Sequence, residues 1–332
     1  MNVTRLTRGA AATLSHTFYV GETATDSSVA VSASVVDASG QAVAGPLNAS
    51  HSGAGTGRYT VTLPAQATLA ALTVAWSATI GGQAVVERDI VEVVGGFLFS
   101  LAEARASDPI FADVAKYPLA DLVRLRQEVE EECETITGRA FVPRYRRLVL
   151  DGSGGRDLVL PDGGDDLVAG ILLRGVRLPI RSASIAPRVG QAAVPLTVDQ
   201  LGALTVTRDG LLRRTDYGIW TEGSGNVVLE YEYGNDYPPA DLKAAALLRL
   251  RSRATMARSG IPDRAISFTV AEGGTYRLST PNASRTGIPD VDAAYDRYSR
   301  GAGGGQNGGP APASRTLDYN PQRGSLFHGG WR

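Results

Sequence analysis

The spacing of apolar residues changes near Gly95-Gly96, and this change constrains the fold more than any other feature of the chain. Before it, apolar residues alternate with small polar ones, as in the run Val74, Trp76 and Ala78. After it, they recur three or four positions apart. Alternation gives a strand one apolar face, whereas the longer spacing gives a helix an apolar stripe. The sequence therefore predicts an α+β protein whose first part is all-β.

Residues 1–96 predict a small β-sandwich. The diglycine Gly81-Gly82 lies between two alternating runs, and such a pair predicts a tight hairpin because both residues can adopt positive φ. Short strands at regular spacing around one tryptophan, Trp76, are typical of an immunoglobulin-like sandwich. We expect this domain to end at Gly95-Gly96.

Residues 97–300 predict a helical domain that contains a β-rich insertion. Ser100 and Glu103 form the pattern of a capping box, in which both side chains satisfy free backbone N–H groups at a helix start. A longer helix is expected to begin after Pro118 and to end at Gly138. Its apolar stripe contains Cys133, which we interpret as a buried structural thiol.

The alternating pattern returns within this domain and predicts a β-rich insertion at about 144–233. Gly152 to Gly155 are expected to form a hairpin turn inside it. A helix over 240–258, a short β pair over 266–278 and a helix from Pro289 to about 300 should follow.

The last segment, 301–332, has a different composition. Gly, Ala, Pro, Gln and Asn dominate residues 301–312, so this stretch cannot bury enough apolar surface to fold. The aromatic and arginine side chains beyond it suggest a segment that orders on a partner: Tyr319, Arg323, Phe327 and Trp331. A frayed terminus is the alternative, and the sequence does not separate the two.

No catalytic motif is present, so we expect a protein that is not an enzyme and has no cofactor. The histidines His16, His51 and His328 lack metal-ligand spacing. Two acidic loops could in principle bind Ca²⁺, although turn formation explains them better. Their residues are Asp151, Ser153 and Asp157 in one loop, and Asp162, Asp165 and Asp166 in the other.

The net charge is −1, which gives no general reason to expect a nucleic acid or a membrane as partner. No apolar run is long enough for a membrane span. Charge is nevertheless segregated between two helices. The acidic residues are Glu128, Glu131 and Glu132 on the first helix, and the basic ones are Arg249, Arg251 and Arg253 on the second. Three interpretations stay open: two solvated helix faces, an acidic and a basic face that meet between protomers of a ring, or a basic stripe for DNA.

Three segments resemble the head–tail connector, or adaptor, family of long-tailed phages. They are Leu119 to Arg139 (LADLVRLRQEVEEECETITGR), Val227 to Leu250 (VVLEYEYGNDYPPADLKAAALLRL) and Gly287 to Tyr298 (GIPDVDAAYDRY). The first is similar to the family's long helix with its Thr-Gly-Arg-aromatic turn. The second resembles its Tyr-x-x-Gly strand end followed by proline and a helix that packs on the first. The third resembles the entry to a closing helix. Together the resembling region covers about residues 97–300.

The resemblance implies a virion structural protein of siphovirus type, located in the neck and made in the host cytoplasm. It implies a ring, usually a dodecamer, of identical subunits that bind the portal protein on one side and a stopper or tail terminator on the other, with genomic DNA passing through. On this interpretation residues 301–332 dock on the portal through Tyr319, Arg323, Phe327 and Trp331, and the six charged helix residues lie between protomers.

The N-terminal sandwich is an addition to the family pattern and leaves rival functions open. One rival is another tail or baseplate component. The other is a host-surface or glycan-binding protein that uses residues 1–96.

Overall fold

A computed structural model describes residues 3–161, 180–188, 191–207, 210–235, 237–256 and 286–299. It also describes the strand backbones at 172–173, 176–177, 265–269 and 275–278. The fold is mixed α+β, as the sequence predicts. It contains more strand than helix. The expectations for the tail (301–332), for Asp162, Asp165 and Asp166, and for the helix end at 257–258 lie outside the described residues.

Residues 3–94 form strands without a helix. The strands are β1 (Val3–Thr7), β2 (Ala12–Thr17), β3 (Tyr19–Val20), β4 (Thr23–Ala24), β5 (Ser32–Asp37), β6 (Ala42–Asn48), β7 (Ser50–His51), β8 (Arg58–Leu63), β9 (Ala70–Ile80) and β10 (Gln83–Val94). One sheet has the order β1-β10-β9-β5-β6, and a second has the order β2-β8-β7. Strand β1 pairs in parallel with β10 at the edge of the larger sheet.

The two sheets enclose one apolar core, so this part is a sandwich. Trp76 of β9 is fully buried between Leu14 of β2 and Val91 of β10, together with the inward residues of β8. The alternation of apolar and polar residues supplies these inward faces. The predicted hairpin is confirmed, since β9 and β10 pair around Gly81 and Gly82, both with positive φ.

The remaining elements follow in chain order. They are α1 (Leu101–Ser107), a 3₁₀ turn (Pro109–Ala112), α2 (Leu119–Thr137), β11 (Arg144–Gly152), β12 (Asp157–Val159), β13 (Leu172–Leu173), β14 (Val176–Arg177), β15 (Ile180–Ile185), β16 (Val194–Pro195), α3 (Val198–Gly202), β17 (Leu204–Val206), β18 (Leu211–Arg214), β19 (Gly223–Tyr233), α4 (Ala240–Met256), β20 (Ala265–Thr269), β21 (Thr275–Leu278) and α5 (Pro289–Tyr298).

Helices α1, α2, α4 and α5 share a second apolar core. Leu122 and Val129 of α2 lie in it with Leu242 of α4 and Tyr295 of α5. The capping box at Ser100 is present at the start of α1. Helix α2 ends as predicted at Gly138, whose left-handed φ of 67° is a conformation that glycine adopts at little cost.

The β-rich part, within residues 144–233, forms a third core. One sheet has the order β11-β19-β15-β16 and another β12-β18-β17, and the fully buried Trp220 lies between them. The expected hairpin at Gly152 to Gly155 is wrong, because β11 pairs with β19 and β12 pairs with β18. The glycines instead lead the chain from one sheet to the other. The spacing of apolar residues also did not predict α3, a short helix whose capping box is formed by Thr197 and Gln200.

None of the helices in the described part of the chain combines the length and the apolar composition needed to cross a membrane.

Candidate functional site

A buried group of charged side chains joins the N-terminal sandwich to α2 and β11. We call Arg5, Glu92, Glu130, Glu134 and Arg144 the junction cluster. Arg5 comes from edge strand β1, Glu92 from its neighbour β10, Glu130 and Glu134 from one face of α2, and Arg144 from the start of β11. The cluster therefore connects elements that belong to three different cores.

Its two guanidiniums each contact all three carboxylates. Arg5 donates from Nε to Glu92 Oε2 at 3.0 Å, from Nη1 to Glu130 Oε2 at 3.3 Å and from Nη2 to Glu134 Oε2 at 3.1 Å. Arg144 donates from Nη2 to Glu134 Oε1 at 2.7 Å and to Glu130 Oε2 at 3.4 Å, and its Nη1 lies 3.6 Å from Glu92 Oε2. Buried charges of this kind depend on their partners, because water does not solvate them.

Glu130 is the most deeply buried carboxylate of the junction cluster, with no exposed surface. Burial raises its pKa, and the positive charges of Arg144 and Arg5 and the hydrogen bond from the Leu98 backbone N–H oppose that shift. The Leu98 bond, 2.7 Å long, also fixes the segment that leaves the sandwich. One residue earlier, the Phe97 ring lies 3.4 Å below the guanidinium of Arg126.

The charged faces of α2 and α4 meet each other within one chain. Arg249 donates to both carboxylate oxygens of Glu132 at 2.8 Å, and Arg253 reaches Glu128 at 3.1 Å and Glu132 at 3.2 Å. Burial acts to raise the pKa of Glu132, but these two arginines outweigh it and hold the pKa below its usual range.

This pairing gives partners within one chain to opposite charges that were expected to meet between protomers. The helices pack side by side in one core, so the acidic face of α2 lies against the basic face of α4 of the same chain. Arg251 binds Asp108 of the same chain at 2.9 Å. Glu131 is the most exposed member of the expected set of carboxylates, with 49% of its side chain accessible.

A cleft of about 410 Å³ lies beside the junction cluster. Glu131, Glu134 and Thr135 of α2 line one wall, and Arg146 and Tyr233 of the β11–β19 pair line the other. The Arg146 guanidinium lies 4.1 Å from the centre of the Tyr233 ring. The cleft thus combines an exposed carboxylate with an aromatic–cation stack.

In the sandwich, His16 bridges the two sheets. Its Nδ1 lies 2.8 Å from Asp89 Oδ2 and its Nε2 lies 3.0 Å from Glu87 Oε2, while Trp76 Nε1 donates to the same Asp89 oxygen. The ring also stacks on Trp76 at 5.5 Å. The sequence placed His16 in the sandwich but gave no sign of these two carboxylates.

The first acidic loop does not bring its oxygens together. Asp151 accepts hydrogen bonds from Ser224 and Gly225, whereas Asp157 forms a bidentate pair with Arg213 at 2.7 and 2.9 Å. Among the residues that the structure describes, no group of three His, Cys, Asp or Glu side chains could hold a metal ion.

Cys133 lies in the core of α2, and burial raises the pKa of its thiol far above the usual range. Its place on the apolar stripe agrees with the sequence. The expected portal-binding residues Tyr319, Arg323, Phe327 and Trp331 lie outside the described part of the chain.

Sequence reasoning missed the junction cluster. Arg5, Glu92 and Arg144 are far apart in the chain, and each alone has the appearance of an ordinary surface charge. The only available signal was that Glu130 and Glu134 stand one helical turn apart.

Compared with known proteins, the sequence matches no family model and no curated protein.

Proposed function

We propose that this chain is the head-to-tail adaptor of a long-tailed bacteriophage. In this role it forms a ring of identical subunits, dodecameric as is usual for the family it resembles, between the portal and the tail. The ring lies in the neck of the virion, after assembly in the host cytoplasm, and DNA passes through it. The observation that carries the proposal is that the helices of the three segments with adaptor-like sequence pack into one core.

These segments are separated by long stretches of chain, so their packing together is not a consequence of sequence proximity. Leu119 to Arg139 forms α2, Val227 to Leu250 runs from β19 into α4, and Gly287 to Tyr298 ends in α5. Leu122, Leu250 and Val291, one from each segment, are buried in the same core. This arrangement supports a connector fold with a helical centre and a β-rich insertion.

The N-terminal sandwich is proposed to be an immunoglobulin-like addition. Two sheets around a fully buried Trp76 support this assignment. The junction cluster ties the sandwich to α2, which is the arrangement expected if the sandwich is held in a defined place on the ring.

The remaining partners follow from the adaptor role. Residues 301–332 dock on the portal through Tyr319, Arg323, Phe327 and Trp331, and the β-rich part contacts a neighbouring subunit or the stopper or tail terminator. The ring holds the DNA without reading its sequence.

Cryo-electron microscopy of the neck of intact particles tests the proposal. We expect a ring directly under the portal into which the sandwich and the helical part of this chain fit. Density for the chain only at the tail tip or on the outer surface of the particle would contradict the adaptor role. That location would instead favour a baseplate component or a host-surface binding protein that uses residues 1–96.

A further inference from the structure

A short loop before β19 presents an exposed tyrosine on a closely packed base. The loop, Thr215 to Trp220, is organised around Arg214, of which only 5% is exposed. Arg214 forms a bidentate pair with Asp216, at 3.0 and 2.6 Å, and also donates to the carbonyl oxygen of Ile219. Asp216 in turn accepts a hydrogen bond from the Gly218 backbone N–H. The loop conformation is therefore fixed from within.

The tip of this loop is both strained and exposed. Tyr217 has a φ of 60°, a left-handed conformation that costs a non-glycine residue about 1–2 kcal/mol. Its side chain is nevertheless 79% exposed, and that of Ile219 is 53% exposed. Within the chain, the Tyr217 ring contacts the guanidinium of Arg156, 4.7 Å from the ring centre. Strained backbone of this kind clusters at binding sites, and here it presents an exposed ring. We call Arg156, Tyr217 and Ile219 the knob.

The knob and the cleft lie at opposite ends of one strand. The loop leads into β19 at Gly223, where Asn226 bonds to the Thr221 carbonyl oxygen, and β19 ends at Tyr233 in the wall of the cleft. Eleven residues of extended strand span about 34 Å. A knob therefore cannot enter the cleft of its own chain.

We infer that the knob of one copy inserts into the cleft of the next copy, and that this contact joins adjacent subunits head to tail. This inference builds on the proposed ring and names the surfaces that close it. A ring needs two different complementary surfaces on each subunit, and a knob and a cleft at opposite ends of a strand supply them.

The chemistry of the two surfaces is complementary. The Tyr217 ring enters a cleft lined by Arg139 and Arg146, and guanidinium groups attract the face of an aromatic ring. Arg156, which comes with the knob, meets the exposed carboxylate of Glu131. Tyrosine and arginine are also the side chains most often found to dominate binding at protein interfaces.

A mixed disulfide tests the geometry directly. Full-length Tyr217→Cys and full-length Thr135→Cys are mixed at high concentration under mild oxidation, with the wild-type chain and its buried Cys133 as the background. We expect a crosslinked pair with one copy of each variant, and in the double variant a ladder of higher oligomers. Absence of the mixed pair, or Tyr217→Cys pairs alone, would overturn the head-to-tail contact.

A second test separates contact from folding. Tyr217→Gly removes the ring and relieves the strained backbone, so the variant should fold at least as well as the wild type. We expect it to weaken self-association at least tenfold in sedimentation velocity. The matched control Tyr19→Ser removes a tyrosine that is 58% exposed in β3 of the sandwich and should leave association unchanged. Wild-type association by a folded Tyr217→Gly chain would contradict the inference.

A charge exchange tests the proposed pair. Arg156→Glu and Glu131→Arg should each weaken association, and the double variant should recover it, because every contact then carries the opposite pair of charges. Two single variants without effect would contradict this pairing.

The inference and the proposed function can fail separately. If particles show the ring under the portal and Tyr217→Gly particles carry the same ring, only the inference fails. If the mixed disulfide forms but the chain lies elsewhere in the particle, the adaptor role fails and the contact between copies stands.

Discussion

At the scale of single residues, the buried charges determine how the parts of this protein are joined. Arg144 is the clearest example, because its side chain is 1% exposed and each of its contacts to carboxylates is made inside the protein. The attraction between buried ions does little more than offset the cost of removing them from water. Loss of one partner is a different matter, because it leaves the others charged and unpaired.

Arg144→Met is therefore expected to be strongly destabilising. It leaves Glu130 and Glu134 with Arg5 alone, and we expect the free energy of unfolding to fall by about 3–5 kcal/mol, the usual cost of breaking a buried pair. Urea titration followed by tryptophan fluorescence measures the change, since Trp76 and Trp220 are fully buried.

The matched control is Arg147→Met, three residues further along β11. The Arg147 side chain is 32% exposed, and its Nε lies 3.6 Å from Glu230 Oε1. Its loss should lower the free energy of unfolding by less than about 1 kcal/mol, as is usual for surface ion pairs. Equal losses for the two variants would show that the junction cluster contributes no more than a surface pair.

At the scale of elements, the contact between α2 and α4 combines an apolar seam with a line of ion pairs. Leu122 and Val129 face Leu242 and Leu250 in the seam, and Glu132 meets Arg249 beside it. The apolar contacts bring the helices together because they remove area from water. The ion pairs favour one alignment of the two helices over others.

The Glu132 pair predicts a particular dependence on acid. A carboxylate whose pKa is lowered by folding stabilises the protein above its unfolded-state pKa of about 4.5, and this stabilisation is lost as the pH falls through the lowered value. We therefore expect Glu132→Gln to be less stable than the wild type at pH 7, and the difference to shrink as the pH falls below about 4.5.

Thermal unfolding of both proteins across that pH range provides the measurement. Arg249→Met should also reduce the loss of stability between pH 7 and acidic pH, because it removes a cation that lowers the pKa of Glu132. A stability difference between Glu132→Gln and the wild type that stays the same at every pH would count against the pair.

At the scale of the whole molecule, polar contacts contribute to the connections among three cores of the described residues. Besides the junction cluster, Arg181 of β15 donates to the Leu69 carbonyl oxygen of the sandwich at 2.7 Å, and the Gly95 N–H donates to Pro143. The side chain of Gln127 on α2 donates to the Val3 carbonyl oxygen of β1. These contacts link the sandwich to both of its neighbours.

Arg5→Met should separate the unfolding of the sandwich from that of the rest. Arg5 is the member of the cluster on edge strand β1, so its loss removes the ion pairs of that strand with α2 and leaves the Gln127 hydrogen bond, while Arg144 still binds the carboxylates. We expect calorimetry to show an added transition at lower temperature, with faster amide hydrogen exchange in β1. Arg8→Met, at an exposed position after the same strand, is the control and should unfold like the wild type.

Deletion of residues 313–332 should abolish portal binding without unfolding the body. The three described cores are formed by residues up to Tyr298, so the melting temperature should stay the same. A pull-down with purified portal measures binding, and full-length Tyr319→Ser with Phe327→Ser and Trp331→Ser is the matched variant. Portal binding that survives the truncation would refute docking by the tail.

Local features of this protein were predictable from the sequence because they depend on neighbours in the chain. The diglycine hairpin at Gly81-Gly82, the capping box at Ser100 and the helix stop at Gly138 each involve a few consecutive residues with strict backbone needs. The glycine turn at Gly152 to Gly155 shows the limit of such reasoning. A hairpin turn was expected there, but the flanking strands pair with β19 and β18, whose residues lie more than 50 positions away.

The sequence by itself thus determined the long helices, the change from β to helical character and the segregation of charge between two helices. Only the tertiary structure decided where those charges find partners. Glu132 pairs with Arg249 of the same chain, and Arg5 and Arg144 both pair with Glu130, because packing brings residues that are distant in the chain within hydrogen-bond distance. Spacing along the chain specifies local conformation, whereas ion pairs between elements depend on distances that exist only after the cores have formed.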